Sequence, residues 1–171
     1  RSISADVDRR VELQILLSRS FDGLGIDEPT ILLASPVFAD SPEEAEAALA
    51  ILETCPVRDQ ATLAVPYAPA RLTEWYDAVM HAYPDEHRYG TDNMWTSAPA
   101  EDLLPGIHRI AETLPPAPSH FLWLNWGPSP QRQDMAYSME DEIYLALYGV
   151  WSDPADDATL HEAIQSGRVR L

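Results

Sequence analysis

The chain has 171 residues, 46% of them hydrophobic, which suits one globular domain with a core and excludes a disordered tail or a fibre. Its 28 acidic and 11 basic residues give a formal charge of -17, which disfavours nucleic acids and anionic membrane surfaces as partners. The single cysteine, Cys55, excludes an internal disulfide and a multi-cysteine metal site, and the lack of a membrane-length apolar run or a signal-peptide pattern favours a cytoplasmic protein.

The N-terminal third predicts a hairpin followed by a helix. Apolar residues alternate over residues 11–20, which predicts a half-buried strand, and a second strand is predicted over residues 30–38. The glycines and acidic residues between these segments are typical of a hairpin connection. Ser41 can cap a helix that begins at Pro42 and ends before Pro56.

The middle of the chain alternates helix and strand signals. The predicted elements are a short strand at 61–65, an amphipathic helix at 69–82 and a strand at 88–96. The residues expected on the buried side of this helix are Leu72, Trp75, Tyr76, Val79 and Met80. Asp92 is a poor strand former in the middle of that last strand, and either a bulge, a sheet edge or a carboxylate that faces a cavity explains it. A third helix is predicted over residues 100–114, either interrupted or started late by Pro105 and Gly106.

Two strong strands and a last helix are predicted in the C-terminal part. The strands cover residues 120–126 and 143–151, with a polar loop between them, and the helix begins at Asp153 and Pro154. Strands joined by hairpins imply antiparallel pairing, and the helices need a sheet face to cover. The sequence therefore predicts a single α+β domain over residues 1–171, with one antiparallel sheet, helices packed on one face and the other face open.

Strand alternation predicts which side chains lie on each face. Leu145, Leu147 and Trp151 are expected to face the helices, since strand side chains alternate with a period of two. Tyrosine and tryptophan side chains on the opposite face are typical of a ligand pocket. The candidate substrate-binding residues, expected together on the open face, are Asp92, Trp123, Asn125, Tyr144 and Tyr148.

Other motifs yield no cofactor-binding, metal or catalytic assignment. Gly23-Leu24-Gly25 lacks the third glycine and the following helix of a phosphate loop. The histidines form no pair four residues apart on one helix, and no G-x-S-x-G elbow is present. Cys55 lies at the end of its predicted helix, where the dipole opposes a thiolate.

Three stretches resemble flavin oxidases related to berberine bridge enzyme and bacterial 6-hydroxynicotine oxidase. The closing strand and helix of their substrate-binding domain are similar to the stretch IYLALYGVWSDPADDATLHEAI, which contains the motif Trp-x-Asp-Pro-x-x-Asp. SPEEAEAALAILET is similar to the helix after the first hairpin in that family, and VPYAPARLTEWYDAVMHAYPDEHRYGTDNMW to its Pro-Tyr turn, helix and strand.

The resemblance implies a fold and a role. In the family, the substrate domain is an antiparallel sheet with helices outside, and its open face roofs the isoalloxazine ring of FAD. An FAD-binding domain, which holds the cofactor and can attach it covalently, precedes this region. The resemblance thus implies a fragment of a larger FAD-linked oxidase, which oxidises a small organic substrate by hydride transfer to flavin. The partners of this chain would be that FAD-binding domain and the substrate, and the chain alone is expected not to bind FAD.

Two departures leave the catalytic base unassigned. Many relatives carry a lysine in the strand that matches residues 88–95, near the place of Asp92 here. Many also carry a glutamate before a Gly-Gly pair, where this chain has Asn125-Trp126-Gly127. A tyrosine such as Tyr144 or Tyr148 is an alternative base.

The alternative function is a free-standing, non-enzymatic α+β module. Such a module would form a homodimer or capture a small molecule through the open face.

Overall fold

The computed structural model describes residues 3, 5–126 and 141–166. Its strands are β1 (Leu13–Ser18), β2 (Thr30–Ala34), β3 (Arg88–Thr96), β4 (His120–Asn125) and β5 (Ile143–Trp151). Its α-helices are α1 (Pro42–Leu49), α2 (Leu72–Met80), α3 (Ala100–Thr113) and α4 (Asp157–Ser166). The polar loop that the sequence places between β4 and β5 lies outside the described residues, apart from Trp126 and residues 141–142.

The strands form one five-stranded sheet in the order β2-β1-β4-β5-β3, and every neighbouring pair is antiparallel. The predicted α+β fold with a single antiparallel sheet is confirmed. The predicted strand at residues 61–65 is wrong. That segment forms no strand and is exposed throughout, so it gains neither the ladder hydrogen bonds nor the burial that stabilise a strand.

The hydrophobic core lies between one face of the sheet and helices α3 and α4. Leu103 and Ile110 of α3 are 0% and 1% exposed, and Ile164 of α4 is 4% exposed. Each strand residue of this core lies on the same side of the sheet; the buried ones are Phe121, Trp123, Ile143, Leu145, Leu147 and Trp151. We call this side the helical face.

Helix α3 runs through Pro105 without a break, so neither the interruption nor the late start expected at this proline occurs. Pro105 is exposed and lies near the first turn. Because proline has no N–H, it cannot donate to the carbonyl oxygen of Glu101, but Glu101 is itself exposed. At the other end, Arg19 of the β1–β2 connection donates from Nε to the Leu114 carbonyl at 2.6 Å. Its Nη2 donates to the Glu112 carbonyl at 3.0 Å, so Arg19 satisfies two carbonyls where the helix ends.

The Trp-x-Asp-Pro-x-x-Asp motif fastens α4 to the sheet. Asp157, the first residue of α4, accepts hydrogen bonds from Trp151 Nε1 at 2.8 Å and from Arg88 Nε and Nη2 at 2.5 and 2.6 Å. Asp153 caps the short 3-10 turn before the helix through the Ala155 amide. The two carboxylates of the motif therefore have structural partners within this chain.

Helix α2 departs most from its predicted packing. Leu72, Tyr76 and Val79 were expected on its buried side, but they are 70%, 63% and 40% exposed. Only Trp75 and Met80 of the expected apolar stripe are half-buried. The amphipathic period predicts the helix correctly but not a partner for its apolar side.

Candidate functional site

The side of the sheet opposite α3 and α4 is a surface that we call the open face. Directly paired residues share a face, so the register of the strands fixes its members. They are Gln14, Leu16, Ser18, Thr30, Leu32, Ala34, Tyr89, Thr91, Asn93, Trp95, His120, Leu122, Leu124, Tyr144, Ala146, Tyr148 and Val150. None of them belongs to the core packed against α3 and α4.

The open face carries two of the five candidate residues, Tyr144 and Tyr148, as predicted. Both are half-buried, whereas their strand neighbours Leu145 and Leu147 lie on the helical face at 1% and 5% exposure. The expected placement of Leu145, Leu147 and Trp151 toward the helices is confirmed. Whether the two tyrosines bind a ligand stays a prediction.

The prediction that Asp92, Trp123 and Asn125 share this face is wrong. Trp123 pairs with Leu145, and Asn125 pairs with Ile143, so both lie on the helical face and both are only 9% exposed. The reason is the register of β4, which turns the aromatic side of that strand into the core and its leucine side outward. Asp92 pairs with Leu147 and also lies on the helical side, in an edge strand whose register is regular and without a bulge.

Aromatic rings line the open face along β5 and β3. The Trp95 ring lies 5.0 Å from the Tyr144 ring and 6.1 Å from the ring of Trp126, measured between centroids. Toward the other end of β5, the Tyr148 ring stacks on the His120 ring at 4.9 Å and an interplanar angle of 22°. The result is a broad aromatic surface of the kind that binds flat ligands.

His120 is held at this surface by its neighbours in the chain. Ser119, which is fully buried, donates from Oγ to the Val150 carbonyl and accepts from the Val150 amide. These bonds extend the β4–β5 pairing by one residue and fix the start of β4. The His120 Nδ1 atom lies 2.9 Å from the Pro118 carbonyl. Burial lowers the pKa of His120 below its usual 6.5, so the ring is neutral at pH 7.

Tyr83, from the segment that joins α2 to β3, covers one end of the open face. Its ring contacts His120 and Tyr148 edge-on, at centroid distances of 5.5 and 5.6 Å. Its hydroxyl lies 3.4 Å from His120 Nε2. Burial and, after it, the neighbouring Tyr148 raise the pKa of the Tyr83 hydroxyl well above its usual 10.0, so Tyr83 remains protonated.

The open face has no ionic group on any of its strand residues, although the chain has a formal charge of -17. The charged strand residues Arg88 and Asp92 both belong to the helical face. The acidic residues of this protein are therefore not among the strand residues that line the open face.

Sequence reasoning missed His120, Tyr83, Trp95 and Trp126. The period of two places His120 on the same side of β4 as Leu122 and Leu124. Only the register of β4 against β5 shows that this side belongs to the open face. Trp95 pairs directly with Tyr144, which the same register shows. No sequence signal marks Tyr83, because it lies in a connection and reaches the face only through the fold.

The strand residues of the open face fit one part of a flavin and not another. Aromatic rings and hydroxyl groups suit a planar ring system, whereas a pyrophosphate needs backbone amides of a glycine-rich turn or positive charge. Within residues 3, 5–126 and 141–166, no three His, Cys, Asp or Glu side chains are grouped so that they could hold a metal ion. In the same part of the chain, no helix has the length and apolarity to cross a membrane.

No protein-family model matches this sequence, and no curated protein matches it.

Proposed function

We propose that this chain is the substrate-binding domain of a cytoplasmic FAD-linked oxidase, similar to the flavin oxidases related to berberine bridge enzyme. The observation that supports the proposal is the open face, which is uncharged on all its strand residues and lined by aromatic rings. Such a surface is costly to leave in water, and a planar cofactor and substrate would cover it.

The roles of this chain's residues follow from their positions. Trp95 and Tyr144 provide the flat surface against which a substrate ring packs, and Leu122 and Leu124 continue it across β4. Closing this surface over the cavity excludes water, which strengthens the polar contacts made inside. A bound flavin would supply the acceptor for the hydride that the substrate loses.

Binding of the FAD pyrophosphate is the role of a separate FAD-binding domain in this proposal. In the part of the chain that the structure describes, Gly23 lies within a short 3-10 turn and Gly25 follows that turn, so neither glycine opens an α-helix. The net charge of -17 further opposes a dianionic cofactor. The chain alone therefore contributes the surface above the ring and does not hold the cofactor.

The first test compares two purified proteins, the product of the complete gene and this 171-residue chain. We expect the complete product to be yellow and to retain flavin through gel filtration, and the chain to lose added FAD under the same conditions. A complete product without flavin contradicts the proposal. So does a chain that keeps stoichiometric flavin by itself, since the cofactor site would then lie within it.

A pair of variants in the complete product tests the surface itself. Leu122→Glu places a charge on the open face, whereas Leu104→Glu places the same charge on α3, where Leu104 is already 49% exposed. We expect Leu122→Glu to abolish flavin reduction by substrate and Leu104→Glu to leave it unchanged. Equal activity of the two variants would show that the open face does not cover the reacting groups.

A further inference from the structure

A single row of leucines crosses one half of the open face. Leu16 of β1 pairs with Leu32 of β2 on one side and with Leu122 of β4 on the other, so the three side chains are neighbours across three strands. All three are half-buried. Because neighbouring strands are about 4.8 Å apart, the row is about 10 Å long. We call these three residues the leucine row.

The leucine row is one residue wide. The strand register places Thr30, Ser18 and His120 along one side of it, and Ala34, Gln14 and Leu124 along the other. Only Leu124 among these neighbours is a large aliphatic residue. A stable interface between two proteins buries about 800 Å² on each partner and has a broad apolar centre. A narrow apolar row instead matches one extended aliphatic chain.

The leucine row leads directly to the aromatic half of the open face. Leu122 pairs with Ala146 of β5, which continues the row by one strand. Tyr144 and Tyr148 flank Ala146 on the same face, and their α-carbons are about 13 Å apart along the strand. Their hydroxyl oxygens nevertheless lie 3.4 Å apart, so the two side chains lean toward each other and leave Ala146 only 1% exposed. The row therefore ends against two aromatic side chains.

We propose that the leucine row binds the aliphatic chain of an uncharged ligand whose aromatic ring packs against Tyr144 and Tyr148, such as a long-chain alkylphenol. The length of the row, about 10 Å, matches an extended octyl chain. Neutrality follows from the strand residues of the open face, none of which carries a charge to pair with an ionic ligand. The identification of this ligand class with the substrate rests on the function proposed above.

The test measures how the affinity of the purified chain depends on the length of the alkyl chain in the ligand. The probes are para-ethylphenol, para-pentylphenol and para-octylphenol, which have the same ring and hydroxyl group. The readout is the shift of leucine methyl resonances in nuclear magnetic resonance titrations. We expect each added methylene to tighten binding about twofold, equivalent to about 0.4 kcal/mol, which is half the value for a fully buried methylene because the row covers one side of the chain.

The order in which the leucine methyl groups respond locates the alkyl chain. Leu122 lies next to Ala146 and the tyrosines, Leu16 follows, and Leu32 on the edge strand is farthest away. Among these three leucines, we expect para-ethylphenol to shift Leu122 alone. The pentyl chain should also shift Leu16, and only the octyl chain should shift Leu32.

Two variants test the far end of the row. Leu32→Gln makes that end polar, so we expect it to remove most of the gain from the pentyl to the octyl probe, which is about eightfold for three methylenes. Its affinity for para-ethylphenol should not change. Leu104→Gln is the matched control, since Leu104 is 49% exposed on α3, and it should bind all three probes as wild type does. Circular dichroism confirms that both variants are folded.

The outcomes separate this inference from the proposed function. Equal affinity of the wild-type chain for the three probes, an order of shifts unrelated to chain length, or no shift with any probe overturns the inference. An unchanged octyl affinity in Leu32→Gln also overturns it. So does a dimer in sedimentation experiments that Leu32→Gln dissociates, since a second copy would then occupy the row. None of these results depends on flavin, whereas the proposed function is decided by the flavin content of the complete gene product.

Discussion

The Ile164 side chain of α4 occupies the space that a β-carbon on Gly149 of β5 would need. A β-carbon at Gly149 would lie 3.0 Å from Ile164 Cγ1 and closer still to its Cδ1, and one on the paired Gly90 would lie 2.8 Å from that Cδ1. Real β-carbons do not approach other atoms so closely. Two facing glycines thus form a shallow notch in the sheet into which α4 packs one isoleucine.

Filling this notch should destabilise the protein. Gly149→Ala forces Ile164 away from the sheet, and overpacking of this kind costs about 1–3 kcal/mol in unfolding free energy. Urea unfolding followed by tryptophan fluorescence measures the loss. The control is Gly23→Ala, where nothing lies within 4 Å of the added carbon. Ile164→Val removes the crowding Cδ1 methyl group, so the double variant should recover part of the loss, and failure to recover would contradict the notch.

The carboxylate of Asp157 should make stability depend on acid pH. The Arg88 guanidinium, and after it the Trp151 indole, hold the pKa of Asp157 below its usual 3.8. A lowered folded pKa stabilises the protein above the unfolded value, and the effect is lost as pH falls through the folded pKa. We expect Asp157→Asn to be less stable than wild type at pH 7 and the difference to shrink below about pH 4.

Unfolding in urea at a series of pH values measures the difference between these two proteins. Glu162→Gln, which also removes one charge from the exposed surface of α4, is the control and should track wild type throughout. A difference between wild type and Asp157→Asn that stays constant down to pH 2 would exclude this carboxylate as the titrating group.

His120 should titrate at lower pH than an ordinary histidine. Because burial lowers its folded pKa below 6.5, the unfolded chain binds a proton there first, and the native state loses stability as pH falls through 6.5. Nitrogen-15 spectra of the imidazole should show a midpoint below 6.5 and, in the neutral form, the proton on Nδ1. A midpoint at or above 6.5, or a proton on Nε2, would rule out the arrangement with Pro118 and Tyr83.

Removal of the Arg19 guanidinium should loosen the end of α3. Arg19→Met keeps much of the apolar stem but loses two hydrogen bonds to the carbonyls of Glu112 and Leu114. Bonds to a charged donor contribute about 1.5–3 kcal/mol each when buried, and the partial exposure of Arg19 puts the expected loss at the lower end. Urea unfolding gives the value. Arg109→Met on the exposed side of α3 should change stability little, and an equal loss there would argue against a capping role.

The sequence predicted β3 and β5 with the bounds that the structure has. The prediction of β5 rests on a clear alternation of leucine and tyrosine residues, whereas β3 was predicted in spite of the poor strand formers Gly90, Asp92 and Asn93. The sequence could not decide which side of β4 faces the helices. Both sides of β4 are apolar, one with Phe121 and Trp123 and the other with Leu122 and Leu124. Only the register against β5 separates them, and register depends on pairing across the connection rather than on a local pattern.

The candidate site was predictable in part for the same reason. Tyr144 and Tyr148 alternate with leucines that are plainly core residues, so their strand alone assigns them to the open face. Asp92 is an acidic residue in the middle of a strand, where aspartate is uncommon, and the edge position of β3 accounts for it. Tyr83 and His120 meet through an edge-on ring contact between segments 37 positions apart in the chain, which no local pattern encodes.

The edge strands β2 and β3 determine how this molecule can meet another chain. An unpaired strand edge invites pairing with a foreign strand, and β2 exposes Ile31 and Leu33 at 68% and 44%. Pro29 directly precedes β2 and Pro36 follows it, and neither can donate to a new ladder, while Arg88 and Asp92 place charges in β3. These prolines and charges therefore disfavour the addition of further strands at both edges of the sheet, which is the route to fibrous aggregates. In the function proposed above, the partner packs instead on the broad surface of the sheet, where binding adds one layer and does not continue from strand to strand.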